Sequence, residues 1–159
     1  MRKSLLKEFQ GSEGASRLIE ALMSQPLVHD KYLAVPIARC LKLEEIPAGW
    51  KLIEQGASDT DLFLILGGTF SVVVDARVVA RKKAGEHIGE MAMVDPRTPR
   101  SASVIATSDS LVARIAERDF SALADRFPRL WRRIALELAS QLRAESAVDR
   151  GREQAAQCV

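Results

Sequence analysis

Cysteine is scarce in this chain: two among 159 residues, Cys40 and Cys158. They lie far apart and form no C-x-x-C pair, which excludes a disulfide framework and a dithiol redox centre. Both read as reduced thiols, and a cytoplasmic location is expected. Histidine is equally scarce, with only His29 and His87. Nothing beside either completes a three- or four-ligand set, so no metal cofactor is expected and both read as surface or structural residues. Long apolar runs are missing. Residues 62–66 and 72–74 fall far short of the roughly 20 that cross a bilayer, so no membrane association is expected. The chain starts with basic residues, but only Leu5 and Leu6 are apolar before charge returns at Lys7 and Glu8, which does not make a signal peptide. Neither sign of charge dominates: 23 Lys+Arg stand against 21 Asp+Glu, for a net charge of +2. A polyanion binder would carry a concentrated basic stripe.

What is present suffices for one domain. Hydrophobic residues make up 47% of the chain, enough for a core at this length but not for two full domains. Leu18, Ile19, Leu22 and Met23, then Tyr32, Leu33, Val35 and Ile37, recur at helical spacing. Ser12 and Ser16 are candidate helix starts, and Pro26 and Pro36 interrupt any single long helix. From Leu41 the period shortens and glycines at 49, 56, 67 and 68 punctuate the chain. Strands are expected around 41–52, over 62–66, 70–74 and 78–80, and as a last pair over 101–106 and 111–115. Helical period returns after Ala116, and Leu130, Ile134, Leu138 and Leu142 form a stripe at i,i+4 spacing beyond Pro128. Past Ser146 the sequence is polar without a stripe and reads as a linker. The expected division is N-terminal helices over 1–38, a sheet-and-helix body over 39–146 and a tail over 147–159.

The chemistry concentrates in residues 83–104. Gly89 allows close backbone approach to a ligand, and a helical turn opening at Glu90, Met91 and Ala92 would aim its N–H groups at an anion. Arg100 adds a planar two-pronged donor for the same anion and Ser101 a hydroxyl or an N–H. Glu90 does not fit a bare phosphate. A carboxylate there serves only if it accepts hydrogen bonds from a group attached to the anion, such as a sugar hydroxyl.

These residues resemble the phosphate-binding cassette of the cyclic nucleotide-binding domain family, P-G-D-x-F-G-E-L-A-L followed after a short loop by P-R-[ST]-A. The chain reads Ala84 Gly85 Glu86 His87 Ile88 Gly89 Glu90 Met91 Ala92 Met93, then Pro99 Arg100 Ser101 Ala102. Upstream, Gly49, Gly56, Gly67 and Gly68 look like the family's turn glycines; downstream, Phe120 and Pro128 fall where its last two helices open. The resemblance spans about 35–146. Ala84, Glu86 and Ile88 depart from the usual proline, aspartate and aromatic without removing a group that contacts ligand. The resemblance implies an α+β fold, an eight-stranded antiparallel β-roll with N-terminal helices before it and C-terminal helices after it, including a long last helix. It also implies that Glu90 takes the ribose 2′-hydroxyl, that Arg100 and Ser101 take the cyclic phosphate, and that the backbone from Gly89 through Met91 to Ala92 completes the cradle. Base contacts are expected among Ile88, Gln141, Glu145 and Ser146, and a homodimer through the last helix.

No nucleophile has a credible base, and G-x-S-x-G, Walker and Rossmann patterns are absent. No enzyme is therefore expected, and the resemblance implies a sensor that binds a 3′,5′-cyclic mononucleotide as its ligand and relays binding through its C-terminal helix. The helix-turn-helix domain of catabolite activator-type regulators finds no room after Ser146, so no DNA-binding domain is expected. The layout resembles the N-terminal part of bacterial antiphage effectors, the Pycsar effectors, in which such a sensor is joined to a TIR domain that degrades NAD and responds to cyclic UMP or cyclic CMP. A stand-alone cyclic AMP or cyclic GMP receptor and a non-binding dimerisation module are the alternatives.

Overall fold

A computed structural model describes residues 4–158; the first three residues, part of the basic start of the chain, and Val159 lie outside the described residues. A 3₁₀ turn (Leu5–Phe9) leads into α1 (Gly11–Met23) and α2 (Lys31–Cys40). The strands follow: β1 (Lys42–Ile46), β2 (Lys51–Ile53), β3 (Leu62–Gly67), β4 (Thr69–Val74), β5 (Arg77–Lys83) and the short β6 (His87–Ile88). A single turn of helix, α3 (Met91–Val94), precedes β7 (Ser103–Ala106) and β8 (Ser110–Ile115), and α4 (Glu117–Arg126) and α5 (Arg129–Gln157) complete the order. The strands form two four-stranded sheets, ordered β1-β8-β3-β6 and β2-β7-β4-β5, with antiparallel pairing throughout. This is the expected β-roll with helices before and after it.

The unbroken apolar run of β3 has a simple cause: this strand is covered on both faces. Phe63 and Ile65 point between the sheets with Phe70, Val104 and Val112. Leu62 and Leu64 point the other way, into a second cluster with Leu22, Leu33, Phe120, Leu130 and Ile134 of the helices. The α1–α2 connection is tied into this layer by polar groups. Gln25 Nε2 donates to the Ile65 carbonyl at 2.9 Å, and the Arg133 guanidinium donates to the carbonyls of Leu27 and Val28. Asp30 caps α2 by accepting from the Leu33 N–H at 3.0 Å. The same carboxylate pairs with Arg129 and Arg133 of α5.

Four details differ from the sequence reading. Helix α1 opens at Gly11, ahead of both serines. Pro36 lies inside α2; the carbonyl it leaves without a donor belongs to Tyr32, an exposed residue. The strand expected from Ser101 starts at Ser103, because 101 and 102 stay in the cassette loop. The segment 147–157, read as a polar linker, continues α5 as exposed helix. Its alanines, glutamines, arginines and Glu153 are strong helix formers, so propensity extends the helix where no buried stripe demands it.

Candidate functional site

Sheet geometry brings the motif together at one end of the roll. β6 ends at Ile88, the chain reverses at Gly89 with φ of +92°, and Glu90 opens α3. The turn is closed by the N–H groups of Ala92 and Met93, which donate to the carbonyls of Gly89 and Glu90 at 3.3 and 3.0 Å. Asp95 shapes the loop beyond, accepting from the Thr98 hydroxyl at 2.6 Å and the Arg97 N–H at 3.2 Å. Those bonds hold its carboxyl below the usual range. Arg97 sits on the exposed loop and pairs with the same aspartate.

Arg100 is fixed at backbone and side chain. Its N–H donates to the Ala57 carbonyl and its own carbonyl accepts from Gly56, each at 2.8 Å. Its side chain is only 5% exposed. Nε and Nη2 donate to Asp59 Oδ2 at 3.1 and 2.7 Å, Nη2 also to the Asp61 carbonyl at 2.7 Å, and Nη1 reaches the Gly89 carbonyl at 3.5 Å. The fork is thus held in one plane beside the turn that starts α3, with a carboxylate already on it.

Glu90 is 8% exposed, and its Oε1 accepts from Gln141 Nε2 of α5 at 3.0 Å. A buried carboxylate with one strong donor has lone pairs to spare for further hydroxyl donors. The last helix therefore reaches the cassette through Gln141. Glu145 and Ser146, further along α5, are exposed, and the Ser146 hydroxyl donates to the Leu142 carbonyl of its own helix. Ser101 is exposed and its hydroxyl meets Met91 Sδ at 3.7 Å. Ala92 is buried, and Ile88 is buried in the cluster between the sheets.

Two groups escaped the sequence reading. Asp59 and Asp61 stand in the β2–β3 connection, about forty residues before Arg100, and no local pattern marks a carboxylate as the partner of a distant arginine; the acidic alternation Asp59-Thr60-Asp61 was the only available sign. His87 is 6% exposed. Burial pushes its imidazole below the ordinary histidine range, and the nearby carboxylates Glu90 and Glu137 only partly offset this. His29, by contrast, is on the surface. Among the described residues no helix is long and apolar enough to cross a membrane.

The sequence profile described as "Cyclic nucleotide-binding domain" matches residues 43–127. A Pycsar effector protein of Burkholderia cepacia, BcPycTIR, is 42% identical over 139 residues, covering 87% of this chain and 46% of its own. Another Pycsar effector protein, XpPycTIR of Xanthomonas perforans, is 40% identical over 139 residues with the same coverage. The chain spans about half the length of these curated relatives. Among solved structures, the Thermus thermophilus catabolite activator protein superposes with a TM-score of 0.70 at 27% identity, covering 79% of this chain and 62% of the other.

Proposed function

The chain belongs to the cyclic nucleotide-binding domain family, and from that premise we propose that it is the sensor of a 3′,5′-cyclic mononucleotide, reporting occupancy through α5. One observation carries the reading. A buried carboxylate and a buried guanidinium, Glu90 and Arg100, flank one helical turn, and α5 is already in contact with the carboxylate. Arg100 supplies a planar fork for the cyclic phosphate, with Ser101 and the turn from Gly89 to Ala92 around it. Glu90 accepts the ribose 2′-hydroxyl, which no bare phosphate could offer.

Gln141 gives its amide to Glu90. A ribose hydroxyl takes a lone pair of the same carboxylate that Gln141 leaves open, so ligand and lid meet at one side chain. Only a ligand that favours one placement of α5 over the other can shift it. The segment itself performs no chemistry. By likeness to the Pycsar effectors, its output is a TIR domain joined beyond α5, its setting is bacterial antiphage defence, and its ligand is cyclic UMP or cyclic CMP.

Isothermal titration of the chain with cyclic AMP, GMP, CMP and UMP tests both levels. Binding of one or more is the expected result, with a pyrimidine nucleotide tightest. Failure to bind any of the four overturns the sensor reading. A purine preference keeps the sensor, removes the effector reading and favours a stand-alone receptor.

The outer part of α5 gives the pairing surface for a second copy in this proposal. The stripe is fully buried at Leu130 and Ile134 and partly at Leu138, but Leu142 is 64% exposed. Sedimentation velocity should show a dimer that Leu142→Asp converts to monomer; a wild-type monomer with and without the bound nucleotide removes the pairing.

A further inference from the structure

Of the two histidines, only His87 is buried. Its neighbour Ile88 points into the cluster between the sheets, so strand alternation turns His87 to the opposite face. Its register partner Leu64 packs there among the helices. The charged groups whose fields reach His87 are Glu90 of the cassette, Glu137 of α5, Lys82 of β5 and Glu86 of the turn after β5. Glu137 lies one helical turn before Gln141, on the same face of α5, and Gln141 is the residue bonded to Glu90. One imidazole therefore sits at the seam where α5 meets the cassette, near a carboxylate from each side.

We propose that His87 is the positioning residue of the lid: its neutral ring seats α5 against the ribose-binding carboxylate, and protonation of the ring lifts α5 away. The direction follows from what seating does to the ring. α5 contributes Ile134 to the cluster that holds Leu64 on this face, so seating adds cover to the ring, and burial is the largest influence on its titration, holding the proton off; Lys82 acts in the same direction, while Glu90, Glu137 and Glu86 oppose. Lifting α5 re-exposes the ring, which then takes up a proton more readily. Protons accordingly favour the lifted state. Seating is complete above the ordinary histidine range near 6.5 and is lost as pH falls below it. His29, the other imidazole, is exposed, and histidine is the side chain whose ordinary charge change falls in this window.

The inference rests on the sensor reading only for its consequence, that the pH at the seam tunes ligand affinity. Its test uses no ligand. Backbone amide exchange of the whole chain, corrected for intrinsic rates, is compared at pH 7.5 and 5.5. Amides of α5 around residues 134–142 are expected to lose protection at the lower pH, while β3 and β8 keep theirs. His87→Phe, which keeps a ring and removes the charge, should hold its protection at both values. An equal loss in that variant overturns the proposal. Should His87→Phe fail to fold, Glu137→Gln decides, since it leaves the ring in place. By NMR titration the His87 resonance should move to a lower pKa when that carboxylate is removed; an unmoved titration overturns the proposal. Failure to bind any cyclic nucleotide leaves both of these results intact and sinks only the sensor reading.

Discussion

Arg100→Ala is expected to weaken binding of the cyclic nucleotide by about thirtyfold to several thousandfold, the equivalent of about 2 to 5 kcal/mol for truncating one partner of a buried, hydrogen-bonded charge pair. The size follows from where the guanidinium sits. It is almost fully buried, so its charge is poorly screened and a phosphate reaching it meets an oriented fork. That fork also holds Asp59, whose side chain is 46% exposed. An exposed carboxylate is readily returned to water and can yield to the ligand at modest cost. The carbonyls of Asp61 and Gly89 are part of the backbone and stay, so the fork keeps its aim as Asp59 leaves. Arg100→Lys retains the charge without the fork and should fall between wild type and alanine. Titration of all three proteins with whichever nucleotide binds wild type, beside a thermal melt of each, separates anchoring from folding. Equal affinity in the alanine variant would refute the anchor.

Much of this arrangement is legible in the amino-acid sequence alone, for local reasons. The cassette announces itself because its requirements are steric and chemical at fixed spacing: a glycine where the backbone reverses, a carboxylate next to it, and an arginine ten residues beyond that carboxylate. The helix after Pro128 is equally plain, since Leu130 and Ile134 must recur at helical period to be fully buried. What stayed hidden depends on distance or on weak preferences. The pairing of Arg100 with Asp59 spans 41 residues, and only the folded sheets place them together. β6 is two residues long, too short for any period to show. The 3₁₀ turn over Leu5–Phe9 is held partly by Glu45 of β1, which accepts from the Leu6 N–H at 2.9 Å. The far end of α5 lacks an apolar stripe, and a reading built on stripes ends it too early. His87 is a further case. A lone histidine between Glu86 and Ile88 carries no sign of burial until alternation in β6 and the approach of α5 are known.

Gly89→Ala should be the most damaging single methyl in the cassette, and comparison with Gly85→Ala shows why. Both glycines hold the chain in the left-handed region, with φ of +92° and +93°, so alanine at either incurs a backbone strain of about 1 to 2 kcal/mol. Their surroundings differ. A Cβ at Gly85 meets nothing within 4 Å, whereas at Gly89 it would lie 2.7 Å from both Arg100 Nη1 and the Asp61 carbonyl oxygen. The arginine can swing aside, but the carbonyl belongs to the backbone just before β3 and can move only with the sheet. Gly89→Ala therefore adds overpacking to strain, about 2 to 4 kcal/mol together, a fall in Tm of roughly 5 to 15 °C for a chain of this length. Whatever relief the site finds comes from displacing Arg100, so nucleotide affinity should fall by about thirtyfold or more, as in Arg100→Ala. Gly85→Ala should lower Tm by a smaller amount and leave affinity close to wild type. Calorimetric melting and nucleotide titration of the two variants side by side provide the check. Should Gly85→Ala lose affinity as severely as Gly89→Ala, backbone strain alone governs the cassette and the contact between Gly89 and Arg100 has no special part in holding the phosphate fork.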